Sequence, residues 1–272
     1  MTSIIRSERE NHGVEIHGII DLEKHPIFDR DFQMHCRAGL DGQGVISLDQ
    51  FIHDDALEQM LVESERLRER AYFCRQTHSV YLTSPESSLP VDHAVNRTVT
   101  SSKGCVCDDH IAADSPLRKL YDSEMFRKFV NSVTGQSAIY PYADRLSSIN
   151  IHYAERHQEL GWHFDNSSFA ITLMIQKPEV GGRFEFIRDF RFSSDGRENY
   201  SGVSKLLDGK LEPVWLKIDP GTLVLFRGKN SVHRVSPNEG DKTRILAVLA
   251  YNSLPDVALS ESARTTFYGR LN

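Results

Sequence analysis

Pro220-Gly221-Thr222-Leu223-Val224-Leu225-Phe226-Arg227-Gly228-Lys229-Asn230-Ser231-Val232-His233-Arg234-Val235 reads as an apolar strand, a polar turn and a second strand that opens near His233. A strand, a polar turn and then a histidine opening the next strand would return an imidazole to one end of a sandwich. Outward from it lie more short segments rich in β-branched and aromatic residues, at 148–153, 169–176, 183–187, 214–218, 222–226, 233–236 and 244–251. Turn residues separate them: Lys177-Pro178, Gly181-Gly182, Asp219-Pro220-Gly221 and Pro237-Asn238-Glu239-Gly240. Many short strands punctuated in this way predict an antiparallel sandwich or barrel.

Before residue 136 helical signals dominate. Within 54–72, Ala56, Leu57, Met60, Leu61, Leu67 and Ala71 mostly recur at three- and four-residue spacing, an amphipathic helix. Ser115-Pro116 has the form of an N-cap followed by proline at the first helical position. A second start at Asp122 or Ser123 leads into Met125, Phe126, Phe129, Val130 and Val133, with Gly135 where a C-cap glycine belongs. Residues 188–212 are polar and read as a long loop or lid. The expected class is α+β, mainly β: one β-sandwich braced by N-terminal helices.

Composition bounds the function. The chain has 272 residues, 39% hydrophobic and 26% charged, ordinary globular usage. At this length roughly 70–75% of the unfolded surface is buried on folding, so no disulfide or metal staple is required. With 32 basic against 38 acidic residues, a net charge of −6 and no basic run, a nucleic-acid partner is not expected. No stretch approaches ~18 consecutive apolar residues, so no membrane span is expected. The opening MTSIIRSERENHG turns polar too early for the apolar core of a secretion signal, which predicts a cytoplasmic protein. Cys36, Cys74, Cys105 and Cys107 then read as reduced thiols. Cys105 and Cys107 have no second cysteine pair to complete a zinc site.

The chemistry starts at Gly161-Trp162-His163-Phe164-Asp165-Asn166. On a strand, residues two apart share a face, so His163 and Asp165 aim an imidazole nitrogen and a carboxylate oxygen at one point. Alone, the triplet equally describes a surface His beside a surface Asp, since the chain has 12 histidines. His233 offers a second imidazole at the same end. Eleven residues further, Arg244 opens the apolar strand Ile245-Leu246-Ala247-Val248-Leu249-Ala250-Tyr251, and a guanidinium there needs a partner. Two imidazoles and one carboxylate on one face of an octahedron are the ligand set of non-haem Fe(II) oxygenases. The three open positions accept the keto and carboxylate oxygens of a 2-oxo acid and O2. The planar fork of Arg244 suits that acid's far carboxylate.

With these residues in view, the sequence resembles the Fe(II)/2-oxoglutarate-dependent oxygenases. Trp162-His163-Phe164-Asp165-Asn166-Ser167-Ser168-Phe169-Ala170, Gly181-Gly182-Arg183-Phe184-Glu185-Phe186, the 220–228 stretch and Leu259-Ser260-Glu261-Ser262-Ala263-Arg264 resemble the branch of carrier-independent amino-acid halogenases and their hydroxylase relatives. The likeness covers roughly residues 95–272. It implies a double-stranded β-helix, or jelly roll, in one domain spanning 1–272: helical support at 1–135, jelly-roll core at 136–252 and a tail at 253–272. It implies Fe(II), 2-oxoglutarate as co-substrate and O2, with His163, Asp165 and His233 as metal ligands. In the halogenases a small residue replaces the carboxylate and leaves room for chloride. Here Asp165 fills that place, so hydroxylation of a small free polar amino acid, lysine among the candidates, is expected. Halogenation or desaturation by the same site, and a non-catalytic metal-binding jelly roll, are the alternatives. The expected partner is a small-molecule substrate, with no nucleic acid and no membrane, and a homo-oligomer is compatible.

The resemblance extends to other side chains, each with a plainer reading beside it. Tyr153 is a candidate hydrogen-bond donor to 2-oxoglutarate or a core tyrosine; Asn150 has the opposite strand parity, so at most one of the two faces inward. Thr172 is a further candidate contact of the 2-oxo acid. Arg97 is the candidate for a substrate carboxylate, or a solvated loop arginine. Asn166 and Asn252 are candidate substrate contacts. Trp162 alternates away from the metal. His93, His110, His152 and His157 read as surface or ligand-free histidines, and Arg264 as a lid clamp or a solvated charge.

Overall fold

The computed structural model describes residues 16–272, so the opening stretch read above for a secretion signal lies outside the described residues. Among the described residues the helices are α1 (Arg30–Gln43), α2 (Asp54–Leu67), α3 (Pro116–Asp122), α4 (Glu124–Thr134), α5 (Tyr200–Leu207) and α6 (Glu261–Tyr268). The strands are β1 (Val45–Leu48), β2 (Tyr72–Ser79), β3 (Thr98–Val106), β4 (Ile149–Ala154), β5 (Leu160–His163), β6 (Ala170–Gln176), β7 (Phe184–Ile187), β8 (Val214–Leu216), β9 (Leu223–Phe226), β10 (Val232–Val235) and β11 (Arg244–Leu249).

Every strand pair is antiparallel. The order β1-β9-β6-β11-β4-β3 forms one layer, and β2 pairs with β3. The order β5-β10-β7-β8 forms the other. The single register pair Ser101↔Leu160 joins β3 to β5, where the sheet turns from one layer to the other. This is the expected jelly roll.

Strand alternation decides what lies inside. Ile149, Ile151 and Tyr153 of β4, Leu173 of β6, and Ile245, Ala247 and Leu249 of β11 share the face that packs under the helices. Met60 of α2, Leu117 of α3, and Phe126 and Phe129 of α4 cover them, each fully buried. Each such side chain removed from water contributes roughly 1.5–3 kcal/mol before ordering costs. The opposite parity of the same strands, Arg244, Leu246, Val248, His152 and Thr172, faces the space between the layers. Ser115 and Ser123 accept the N–H groups of Leu117 and Phe126, and Gly135 closes α4 in the left-handed region at φ 74°, all as the capping pattern predicts.

Four expectations need correction. The N-terminal part is not helical support alone: β1 pairs with β9, and the β2–β3 hairpin extends the main layer. The hairpin hides in the sequence because Cys74-Arg75-Gln76-Thr77-His78-Ser79 is polar on both faces. The helix expected over 54–72 stops at Leu67, passes through one tight turn at Arg68–Arg70 and gives way to β2 at Tyr72. The 188–212 insertion contains α5, whose Val203 and Leu206 pack with Val80, Tyr81, Trp162 and Phe164. The 253–272 tail contains α6, where the Tyr268 hydroxyl donates to Asn150 Oδ1 at 2.9 Å and closes one end of the main layer.

Candidate metal centre

His163 ends β5, and His233 stands directly opposite it on β10. Their ring centroids lie 4.1 Å apart. After His163 the chain leaves the strand: the Phe164 amide donates to Val80 O and the Asp165 amide to Gly228 O at 3.0 Å. That turn carries the Asp165 carboxylate to the histidines. Its Oδ1 is 3.6 Å from His163 Nε2 and 3.5 Å from His233 Nε2, and one atom from each residue falls within 4.8 Å of the others.

Backbone carbonyls orient both rings. His163 Nδ1 lies 2.8 Å from Gly161 O and His233 Nδ1 lies 3.0 Å from Ser231 O. A carbonyl accepts only, so each Nδ1 bears the hydrogen and each Nε2 turns a lone pair to the shared centre. Burial first, then the neighbouring His233, pushes His163 below its ordinary pKa. Burial alone would raise the Asp165 carboxyl, but His233 and His163 outweigh it and hold it well below the usual range. Asp165 Oδ2 is buried with no hydrogen-bond partner. Two imidazole nitrogens and a carboxylate with one orphaned oxygen fit a divalent first-row cation such as Fe(II). Phe184 and Phe226 pack their rings against His233, at centroid distances of 5.7 and 4.8 Å, and screen that side from water.

The three side chains open into a cavity of about 830 Å³ between the layers. Arg244 lines it from β11, 5% exposed. It makes no ion pair among the described residues, its Nε has no partner, and burial brings the guanidinium pKa down to about 10. Thr172 and Asn166 also line the cavity.

Three sequence candidates stand elsewhere. Tyr153 is fully buried on the helix-covered face, where its hydroxyl donates to Ser64 O at 2.6 Å. The inward position on β4 belongs instead to His152, read as a surface residue from the sequence. Arg97 is tied to Asp208 at 2.8 Å and to Ser204 O of α5. Asn252 pairs through its backbone with Tyr140, and its side chain accepts the Leu254 amide. Neither lines the cavity. Trp162 faces away from the centre, as expected, under the Arg234 guanidinium at 4.8 Å. His93 packs on Tyr200, and Arg264 donates to Leu271 O. The four cysteines are free.

The sequence reading missed His78, Lys103 and His152, and Phe267 of α6, all of which line the cavity. Alternation was the available signal for His152. Ile149 and Ile151 share parity with Tyr153 and mark that face as core, which leaves residue 152 inward. Nothing in the sequence marks Lys103.

A family model described as Halogenase D matches residues 28–267. No curated relative matches the sequence. Solved structures share the fold. A 2OG-Fe(II) oxygenase family oxidoreductase from Burkholderia pseudomallei superposes with a TM-score of 0.51 at 14% identity, over 83% of this chain and 92% of that one. The non-haem α-ketoglutarate-dependent epimerase SnoN of nogalamycin biosynthesis gives 0.54 at 13% identity, over 82% and 83%. A prolyl 4-hydroxylase from Phytophthora capsici gives 0.52 at 16% identity, over 92% and 73%. No helix among the described residues is long and apolar enough to cross a membrane.

Proposed function

The chain belongs to the Halogenase D family, and from that premise we propose that it is an Fe(II)- and 2-oxoglutarate-dependent hydroxylase of a small free polar amino acid, lysine among the candidates. One observation carries the reading: Nε2 of His163, Nε2 of His233 and the orphaned carboxylate of Asp165 converge at the wall of a cavity that also holds the unpaired Arg244. Iron bound there supplies oxygen activation coupled to decarboxylation of 2-oxoglutarate. The protein's own contribution is placement. The carbonyls of Gly161 and Ser231 hold both rings with Nε2 inward. Arg244 takes the distal carboxylate of the 2-oxo acid through its two parallel N–H groups and sets its direction, with Thr172 on the same wall. Asn166 lies on the strand-end turn beside Asp165 and meets the substrate, and the bond held nearest the metal is the one that reacts. The free thiols fit a reducing cytoplasm.

Asp165 favours hydroxylation over halogenation, because a halide must displace an anionic ligand. The Halogenase D match favours the opposite reading, and product mass separates them. Free amino acids are screened for stimulated succinate formation with chloride present. Gain of one oxygen supports the hydroxylase, chlorine for hydrogen supports the halogenase, and loss of two hydrogens supports a desaturase. An anaerobic mixture with Fe(II) and 2-oxoglutarate that develops no visible charge-transfer band would sink all three.

A further inference from the structure

Arg244 is not the cavity's only cation. Lys103 of β3 lines it too, with Nζ 3.0 Å from His152 Nε2 and 5.6 Å from the Phe267 ring centre. The sheet register relates the two. β3 and β4 pair Gly104 with Tyr153 and Cys105 with His152, which puts Lys103 beside Ala154. Ala154 is the register partner of Arg244 on β11. The two cations thus occupy one row, two strands apart, roughly 10 Å between backbones at about 4.8 Å per strand. Both side chains are long enough to meet over β4, and His152 lies on the floor between them.

That row lacks an anion. Asp165 is the one carboxylate lining the cavity among the described residues, and it belongs to the metal centre. Burial pushes the Lys103 ammonium below its ordinary pKa. Burial, Lys103 and Arg244 together hold the His152 imidazole well below its ordinary value, so both cations act on that ring. A buried guanidinium and a half-buried ammonium with no carboxylate between them are costly unless a ligand provides one.

We propose that Lys103 joins Arg244 as a second clamp on the distal carboxylate of the 2-oxo acid, with His152 as the neutral polar floor between them. The proposal rests on the co-substrate reading above and adds to it. Arg244 fixes the direction of the carboxylate, and Lys103 adds a second charge from the other side of β4. Together they make the protein selective for dianionic 2-oxo acids over those that lack the second carboxylate.

The test uses the full chain loaded with Zn(II), which does no redox chemistry, and isothermal titration with 2-oxoglutarate and with 2-oxobutyrate. Lys103→Met should weaken 2-oxoglutarate about tenfold or more, the size of one charge-assisted hydrogen bond, and leave 2-oxobutyrate unchanged. Lys103→Gln serves the same comparison if the methionine variant does not fold. Unchanged 2-oxoglutarate affinity would overturn the proposal, as would an equal loss for both acids. A variant whose defect lies only in the KM of the amino acid would assign Lys103 to the substrate instead and overturn it too. A wild-type protein that binds no 2-oxoglutarate would defeat the co-substrate reading itself.

Discussion

The backbone of Gly228 lies against the carboxylate of Asp165: a Cβ built on Gly228 would stand 1.8 Å from Oδ2 and 2.5 Å from Cγ. The same residue's carbonyl accepts the Asp165 amide at 3.0 Å. The turn after β9 thus both holds the Asp165 backbone and leaves room for its side chain. Gly228→Ala should push the carboxylate off the centre without unfolding the sheet. We expect metal affinity to fall at least about tenfold, the low end of what outer-partner changes cost. Anaerobic metal titration beside a thermal melt checks this, and wild-type affinity would show that the turn does not position Asp165.

Asp165→Gly removes the ligand outright. Hydroxylated product should fall by more than about 100-fold, beyond the usual cost of an outer partner. Chlorination does not follow automatically, because the substrate must also be held for it. Mass analysis of products with and without chloride reads both outcomes, and retained hydroxylation would mean that Asp165 is no ligand.

Arg244 and Tyr153 should behave in opposite ways. Arg244→Ala should weaken 2-oxoglutarate by roughly ten- to a hundredfold, the scale of a charge-assisted bidentate contact, while metal binding stays intact. Tyr153→Phe should cost about 1 kcal/mol of stability by stranding Ser64 O, and leave 2-oxoglutarate affinity where it was. Denaturant melts and ligand titration on both variants decide the matter. A Tyr153→Phe protein with normal stability and poor co-substrate binding would contradict the placement seen here.

Arg97→Ala should have little effect on turnover. Its pair with Asp208 is about one-third exposed on each side, so solvent screening limits the loss to below about 1 kcal/mol. The substrate KM should match wild type. A large rise in KM would mean that α5 moves and frees Arg97 for the substrate.

The metal triad was legible because coordination restricts residue type, although β5 ends at His163 and Asp165 reaches the histidines through the turn that follows rather than by strand alternation. Arg244 was legible because an arginine opening the apolar run Ile245–Leu249 must find an anion. The caps at Ser115, Ser123 and Gly135 were legible because they are satisfied within a few residues. The β2–β3 hairpin was not, since its strands take their stability from pairing rather than from an apolar face. Neither was α5, whose two buried residues, Val203 and Leu206, sit in an otherwise polar insertion.

Taken alone, the amino-acid order determined the candidate ligand set, the strand-rich second half and a buried arginine at the start of β11, all properties of local pattern. The tertiary structure decided which parity of each strand faces the cavity. Helices α2 to α4 cover the Tyr153 side of β4, so His152 turns inward, and a register three strands wide brings Lys103 into the row of Arg244. Period-two alternation divides a strand into two faces, and only what packs against the sheet selects the inner one.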